Sequence, residues 1–532
     1  MKRSSRIYFL LTVAIFLACP GLSNAQAEKL GDVIFPTSAR SQEAQEHFLR
    51  GVKYLHSFGF EEALEAFQAA NKIEPDFVLA YWGETLSSND PLQIERDAES
   101  PRKALARLGA TPAARIAKAS TDLEKGFLTA VEIRFGEGSA SERVFAYAEA
   151  MERLVAQYPE VTEARAFYSI ALLGTVPYIS STWGGESTYI VRIKAGALAL
   201  EIFNESPNHP GAAHYITHAF DDPIHAPLAL KAAKRYARIA PDAAHALHMP
   251  SHIFIQHGMW PEVVASNIDS YQAANNLWQQ RSGFTDSKRF FNDIRVFHAL
   301  DWREYAYLQQ GDYASARKDI DLVRPVVEMT KVPFMKTGTG HMTARYIIET
   351  EQWEKHPVTA DTPPAEMFAT GMSAIKTGDM ATAKQVESRL KALHEEKQGE
   401  PITAIFYNEI LALIHLKDGQ TDEALSRIKT AAEIEVSMGL PSGPVNPIKP
   451  AHELYGEILL ELNQSEEAAI QFKVSLQRTP NRTRSLLGLA RASKDNDRKT
   501  ARQCYEALLA NWKSQTDSPA LQEAKRFLSE SE

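Results

Sequence analysis

Cysteine is almost absent: the 532 residues hold two, Cys19 and Cys504. Cys19 falls inside the N-terminal apolar stretch, so Cys504 stands alone in the remainder. That excludes an intramolecular disulfide and a thiolate zinc site in the remainder. Any metal must then be held by His, Asp or Glu. Long apolar runs are missing too. Past the N-terminus none approaches the roughly 18 residues of a membrane-spanning helix, so no transmembrane span is expected. Basic blocks are lacking and the formal charge is −9. Nothing resembles a phosphate-neutralising face, so nucleic acid is not an expected partner. No G-x-x-x-x-G-K-[ST], no G-x-G-x-x-G opening a βα unit and no G-x-S-x-G elbow occurs. The TGTG at 337–340 is a lone glycine pair in a predicted loop, a weak phosphate signal.

The N-terminus carries a signal of its own. MKRSSR is basic, IYFLLTVAIFLA is apolar, and S-N-A ends at Ala25. Basic start, short apolar core and small-residue site predict a secretory signal over 1–25, and hence a periplasmic or secreted protein. The alternative is a lipoprotein signal on F-L-A-C, with Cys19 lipidated; Phe16 stands where Leu is usual.

What the chain has in quantity is a period. AQEHFLRGVKYLHSFGFEEALEAFQAANKIEPD (44–76) places Gly51 at position 8, Tyr54 at 11, Ala63 at 20, Phe67 at 24, Ala70 at 27 and Pro75 at 32. Small residues at 8 and 20 let two helices touch, large ones fill the gap, and proline ends the second helix. The same phase returns at 210–243, near 297, near 364, near 405 and near 449, and weakly from 481. These copies resemble tetratricopeptide repeats, whose period is about 34 residues. The resemblance implies an all-α, helix-turn-helix solenoid wound as a right-handed superhelix. The predicted layout is a signal over 1–25, an extension over 26–41, an N-terminal array over 42–270 and a spacer over 271–296. A C-terminal array over 297–515 and a tail over 516–532 complete it. The period is also interrupted over 85–125.

Histidines cluster in one part of this array. Eight of the 16 lie between His209 and His257. His214 and His218 are each echoed 34 residues on, by His248 and His252. Within the repeat these are positions 5 and 9, and His245 is position 2. In the resembled family helix A lines the concave face through positions 2, 5, 9, 12 and 13, so the echo implies equivalent sites on one groove. Residues i and i+4 share a helix face, and two such imidazoles can chelate one ion. His214, His218, His248 and His252 are therefore the candidate metal ligands, with His214, His218 and His252 expected to bind one divalent ion and His248, Asp221 or Asp222 to complete its shell; zinc comes first, with copper or iron as alternatives. Pro250 complicates the second pair, because a helix starting there would leave His248 on its approach.

Acids recur at the same inward positions. Asp221 and Asp222 fall at 12 and 13, Asp301 at 5 with His298 at 2, and Glu453 at 5. These five are the candidate catalytic or substrate-contacting residues, with His341 as a further one. Each has a plainer reading: helix-ending turn chemistry for Asp221-Asp222-Pro223, a groove hydrogen bond for His298 and Asp301, a solvated face for Glu453. The four histidines have one too, as packed hydrogen-bonding side chains.

The blocks YWGE, HPGAAHYITHAFDDP, HALHMPSHIF, HALDW and KPAHELYGE resemble a set of bacterial secreted tetratricopeptide proteins. That likeness implies one functional unit and names no reaction. Two functions stay open. One is a metal site in the groove, with hydrolase-like chemistry in reach. The other is a scaffold that binds a small molecule, peptide, glycan or protein there. Neither sets an oligomeric state.

Overall fold

The computed structural model describes residues 28–180, 185–282, 294–330, 333–397, 400–512 and 518–530. The expected signal over 1–25 lies outside them. The described residues form helices and no strand, in an all-α, tetratricopeptide-type helix-turn-helix solenoid. Each helix packs on the next, beginning with Gln42–His56 on Phe60–Ile73. None is long and apolar enough to cross a membrane.

The repeat works through glycine against phenylalanine. A Cβ on Gly51 or Gly83 would stand 2.7 or 2.4 Å from the Phe67 ring. Gly456 and Gly488 hold Phe472 in the same way, at 2.8 and 2.2 Å. Close helix approach at these points therefore requires the missing side chain. Tyr54, Phe67, Phe472 and Trp302 are buried, as their repeat positions predict.

The irregular stretches each take a form. The extension lies as an extended strap with Leu30 and Phe35 buried. Its amides bond to Asp242 and to the Asn208 carbonyl. The interruption over 85–125 contains the short helices Glu99–Leu108 and Pro112–Ile116. The expected spacer over 271–296 is helical through Ser282 and again from Ile294. The TGTG stretch is no loop; it runs inside the Pro333–Thr350 helix, where no phosphate cradle forms.

Two features place the site. First, a helix does begin at Pro250, but a helical turn precedes it. Ala244–His248 continues into Pro250–Gln256 through Met249 at φ −55, ψ −35. Proline fits a first turn, so His248 and His252 keep their i, i+4 relation. Second, the array folds back on itself. Asn481 Nδ2 donates to the Gly258 carbonyl at 2.9 Å, and Thr483 bonds to Gln309. Gln256 reaches the Pro441 carbonyl at 3.2 Å. The turn at Gly443 lies directly against the Trp302 ring.

Candidate metal centre

Three helical segments bring the imidazoles together: Pro210–Ala219, Ala244–Gln256 through Met249, and Ile294–Gln309. They form two triads, His214–His218–His245 and His248–His252–His298. Each takes positions 5 and 9 of one repeat and position 2 of the next. The echo of 34 residues thus marks two sites, and not one site shared by His214, His218 and His252. His245, expected to face inward, is the third member of the first triad.

In the first triad the Nε2 atoms converge. His218 and His245 stand 3.0 and 3.2 Å from His214 Nε2. Three nitrogens each about 2 Å from one ion stand roughly 3.0–3.4 Å apart. His214 Nδ1 donates to the His56 carbonyl at 2.6 Å, so its Nε2 carries the lone pair when the ring is neutral.

The second triad is more telling. His248 Nδ1 donates to Asn267 Oδ1 at 2.6 Å. The amide orientation is set, since Asn267 Nδ2 donates to the Val263 carbonyl. His252 Nδ1 donates to the Asp221 carboxylate at 2.7 Å. Each ring has therefore spent its Nδ1 proton. Their Nε2 atoms face each other at 3.1 Å, close enough for one proton or one metal ion to be shared between them. Partners on Nδ1 are also how metal-binding histidines are oriented.

Burial disfavours the charged form of five of the six rings. It lowers His214 to about 3 and His298 to about 4. His218, His245 and His248 are held well below the usual value, first by burial and then by one another. The site is buried more than it is an open groove face. His214, His248 and His252 are buried, while His218, His245 and His298 are half-buried and form its wetter edge.

A third cluster, His56–Glu163–His209, has the donors for an ion but a different logic. Glu163 accepts from His56 Nε2 at 2.7 Å and His209 Nε2 at 3.0 Å. His56 Nδ1 accepts from the Tyr215 hydroxyl, and His209 Nδ1 from the Ala212 amide. Every nitrogen is satisfied, so this cluster orients the His56 carbonyl that holds His214. Burial alone would raise Glu163, but the facing His209 and His56 outweigh it and bring the carboxyl from 4.5 down to about 2. A depressed carboxyl stabilises the fold above its unfolded pKa, by about 3 kcal/mol here, and that is lost as pH falls through its folded value. Glu163→Gln should thus be less stable than wild type at pH 7. The gap should close between about pH 4.5 and 2 in urea titrations; a gap independent of pH would refute this.

The acids sort differently from expectation. Asp221 is in the centre but not as a free base: its oxygens are taken by His252 and Gln256. Asp222 is turned away. It accepts from the Ile224 and His225 amides and pairs with Arg192 at 2.9 Å, which is helix-start and ion-pair work. Asp301 pairs with Arg345 at 2.6 Å, beside Glu304 on the same guanidinium. His298 lies one turn before Asp301 and joins the second triad. Glu453 belongs to a separate buried network, described in the Discussion. His341 is lowered to about 4, by burial first and then by Arg345; it is in neither triad.

Two aromatic rings back the triads. Phe58 lies 4.4 Å from His214 and 5.4 Å from His245, at φ 53. Trp302 lies 4.1 Å from His252 and 5.2 Å from His248.

No family model matches this chain, and no curated relative matches it. Among solved structures it is similar to a human IFIT1 dimer with m7Gppp-AAAA, at 13% identity over 93% of this chain and 91% of that one, TM-score 0.35. It is also similar to yeast Tom70, at 12% identity over 92% and 91%, TM-score 0.28. The APC/C hetero-tetramer Cut9-Hcn1 matches at 11% identity over 93% and 78%, TM-score 0.30.

Proposed function

We propose that this chain is an exported tetratricopeptide-type protein whose function is carried by metal ions held in its two tri-imidazole triads. One observation carries the reading: His248 and His252 bring their Nε2 atoms to 3.1 Å with both Nδ1 protons spent elsewhere. Export rests on the N-terminal pattern of the sequence. The donor set is all imidazole, which suits zinc, copper or iron. Three protein ligands leave a position for water or substrate, and on zinc such a water is acidified to a pKa of about 7, which is hydrolase-like chemistry.

The residues divide the labour. His214, His218 and His245 hold one ion; His248, His252 and His298 hold the other. Asp221, Asn267 and the His56 carbonyl fix the rings. The test is elemental analysis and calorimetric titration of the mature protein with zinc and with copper. Up to two ions per chain are expected. His214→Ala and His248→Ala should each lose one ion, with an affinity drop of at least about 100-fold at the altered site. Metal-free protein that binds neither ion would leave the other reading, a scaffold for a peptide, glycan or protein.

A further inference from the structure

We infer that the two triads form a single binuclear centre whose exchangeable ligand is one small anion, of the hydroxide or azide class, bound between the two ions. This rests on the metal-binding reading above and adds what the centre takes as ligand.

The first argument is proximity. Rings of opposite triads touch: His218 and His252 are 5.8 Å apart between centroids, and His245 and His248 are 6.1 Å apart. The triads therefore open into one pocket.

The second is where the free coordination positions point. Phe58 lies against all three rings of the first triad, at 4.4, 5.7 and 5.4 Å. Its φ of 53 is a left-handed conformation that a bulky residue rarely adopts, so the turn holds this ring over the triad at a cost in strain. Trp302 lies against all three rings of the second triad, at 4.1, 5.2 and 5.3 Å. Each aromatic ring lies against one triad alone, which leaves the side toward the other triad for the remaining coordination position. His218, His245 and His298 are the half-buried rings nearest solvent.

The third is charge. Neither triad contains a carboxylate or a thiolate. Two divalent ions would put four positive charges among buried and half-buried imidazoles. The carboxylates nearby are committed: Asp221 to His252 and Gln256, Asp301 to Arg345. Buried charge without a partner is costly. An anion from solvent is the available partner, and the gap between the ions is where it neutralises both. An aliphatic or aromatic ligand would leave the charge unrelieved. A large anion would meet the rings that face across the gap, His218 and His252, His245 and His248.

The experiment uses copper(II) and azide as probes on the full mature chain. Expected are two coppers per chain, with under about half of the copper visible by electron paramagnetic resonance, because a shared ligand couples the two spins. Azide should bind once per chain and produce a ligand-to-metal absorption band. In His298→Ala, and separately in His245→Ala, one copper should remain and be fully visible. Azide should bind these variants at least about 10-fold more weakly. Having both variants guards against one that fails to fold. Two fully visible coppers, with azide binding twice per chain and unchanged in the variants, would overturn the inference and leave the metal-binding reading standing. Failure of the wild type to take up copper or zinc would overturn both.

Discussion

Glu453→Ala is expected to cost the fold about 3–5 kcal/mol and to leave metal uptake by the surviving folded protein unchanged. The sequence places Glu453 at an inward repeat position, as a candidate for chemistry. Its surroundings assign it another task. Both oxygens are engaged: Oε1 by Lys449 at 2.9 Å and Arg482 at 3.0 Å, Oε2 by Arg482 at 2.8 Å and Ser485 at 2.5 Å. Burial would raise this carboxyl, but Arg482 and Lys449 outweigh it and hold it far below the usual range. Arg482 is fully buried and also pairs with Glu349 at 2.6 Å. Removing Glu453 leaves two buried cations short of a counter-charge, which is the expensive way to break such a network. The network also ties the fold-back contact, since the Arg482 guanidinium reaches the Tyr305 hydroxyl. Thermal and urea unfolding measure the loss, and copper or zinc content of the folded fraction separates it from a catalytic role. A variant of wild-type stability that lost metal would reverse the assignment.

Much of this was legible in the sequence, and the limit falls at a definite place. Periodicity is local, so the helix pairs, the small residues at position 8 and the four histidines at positions 5 and 9 could all be read from spacing. What spacing does not show is which neighbours meet. Pairing each histidine with its echo 34 residues on suggested one site across two helices. In the solenoid, position 2 of the following helix lies beside positions 5 and 9 of the one before, so His245 completes one triad and His298 the other. The signal was present, in that both occupy position 2. The rule that combines 2 with 5 and 9 is tertiary.

The acids show the same limit. Asp301 and Glu453 occupy inward positions, but inward here means packed against arginine. Those partners come from segments 44 and 29 residues away, Arg345 and Arg482. Pro250 is the opposite case. A local rule predicted a helix start there, and one is present, but the two short segments both pack on Trp260–Ser282 and the helical path also runs through Met249.

The neighbouring aspartates give the sharpest contrast. Asp221→Ala should weaken metal binding in the second triad about 10–100-fold and leave the first triad as it is. The reason is orientation: His252 loses the carboxylate that fixes its tautomer and raises its basicity, at 2.7 Å. The fold should change little, because Gln256 keeps its contact with the Pro441 carbonyl. Asp222→Ala should do the reverse. It strips the counter-charge from Arg192, whose side chain is 1% exposed, and removes the acceptor for two amides at the turn. Breaking a buried ion pair by removing one partner costs about 3–5 kcal/mol, so this variant should unfold early while its folded fraction binds metal normally. Calorimetric titration with zinc and urea unfolding, run on both variants, separate the two effects. The division of labour fails if Asp222→Ala loses metal at native stability, or if Asp221→Ala unfolds like its neighbour with its zinc affinity intact. Two residues of identical chemistry, adjacent in the chain, would then have to be assigned the same task, against the different partners on which each side chain is spent.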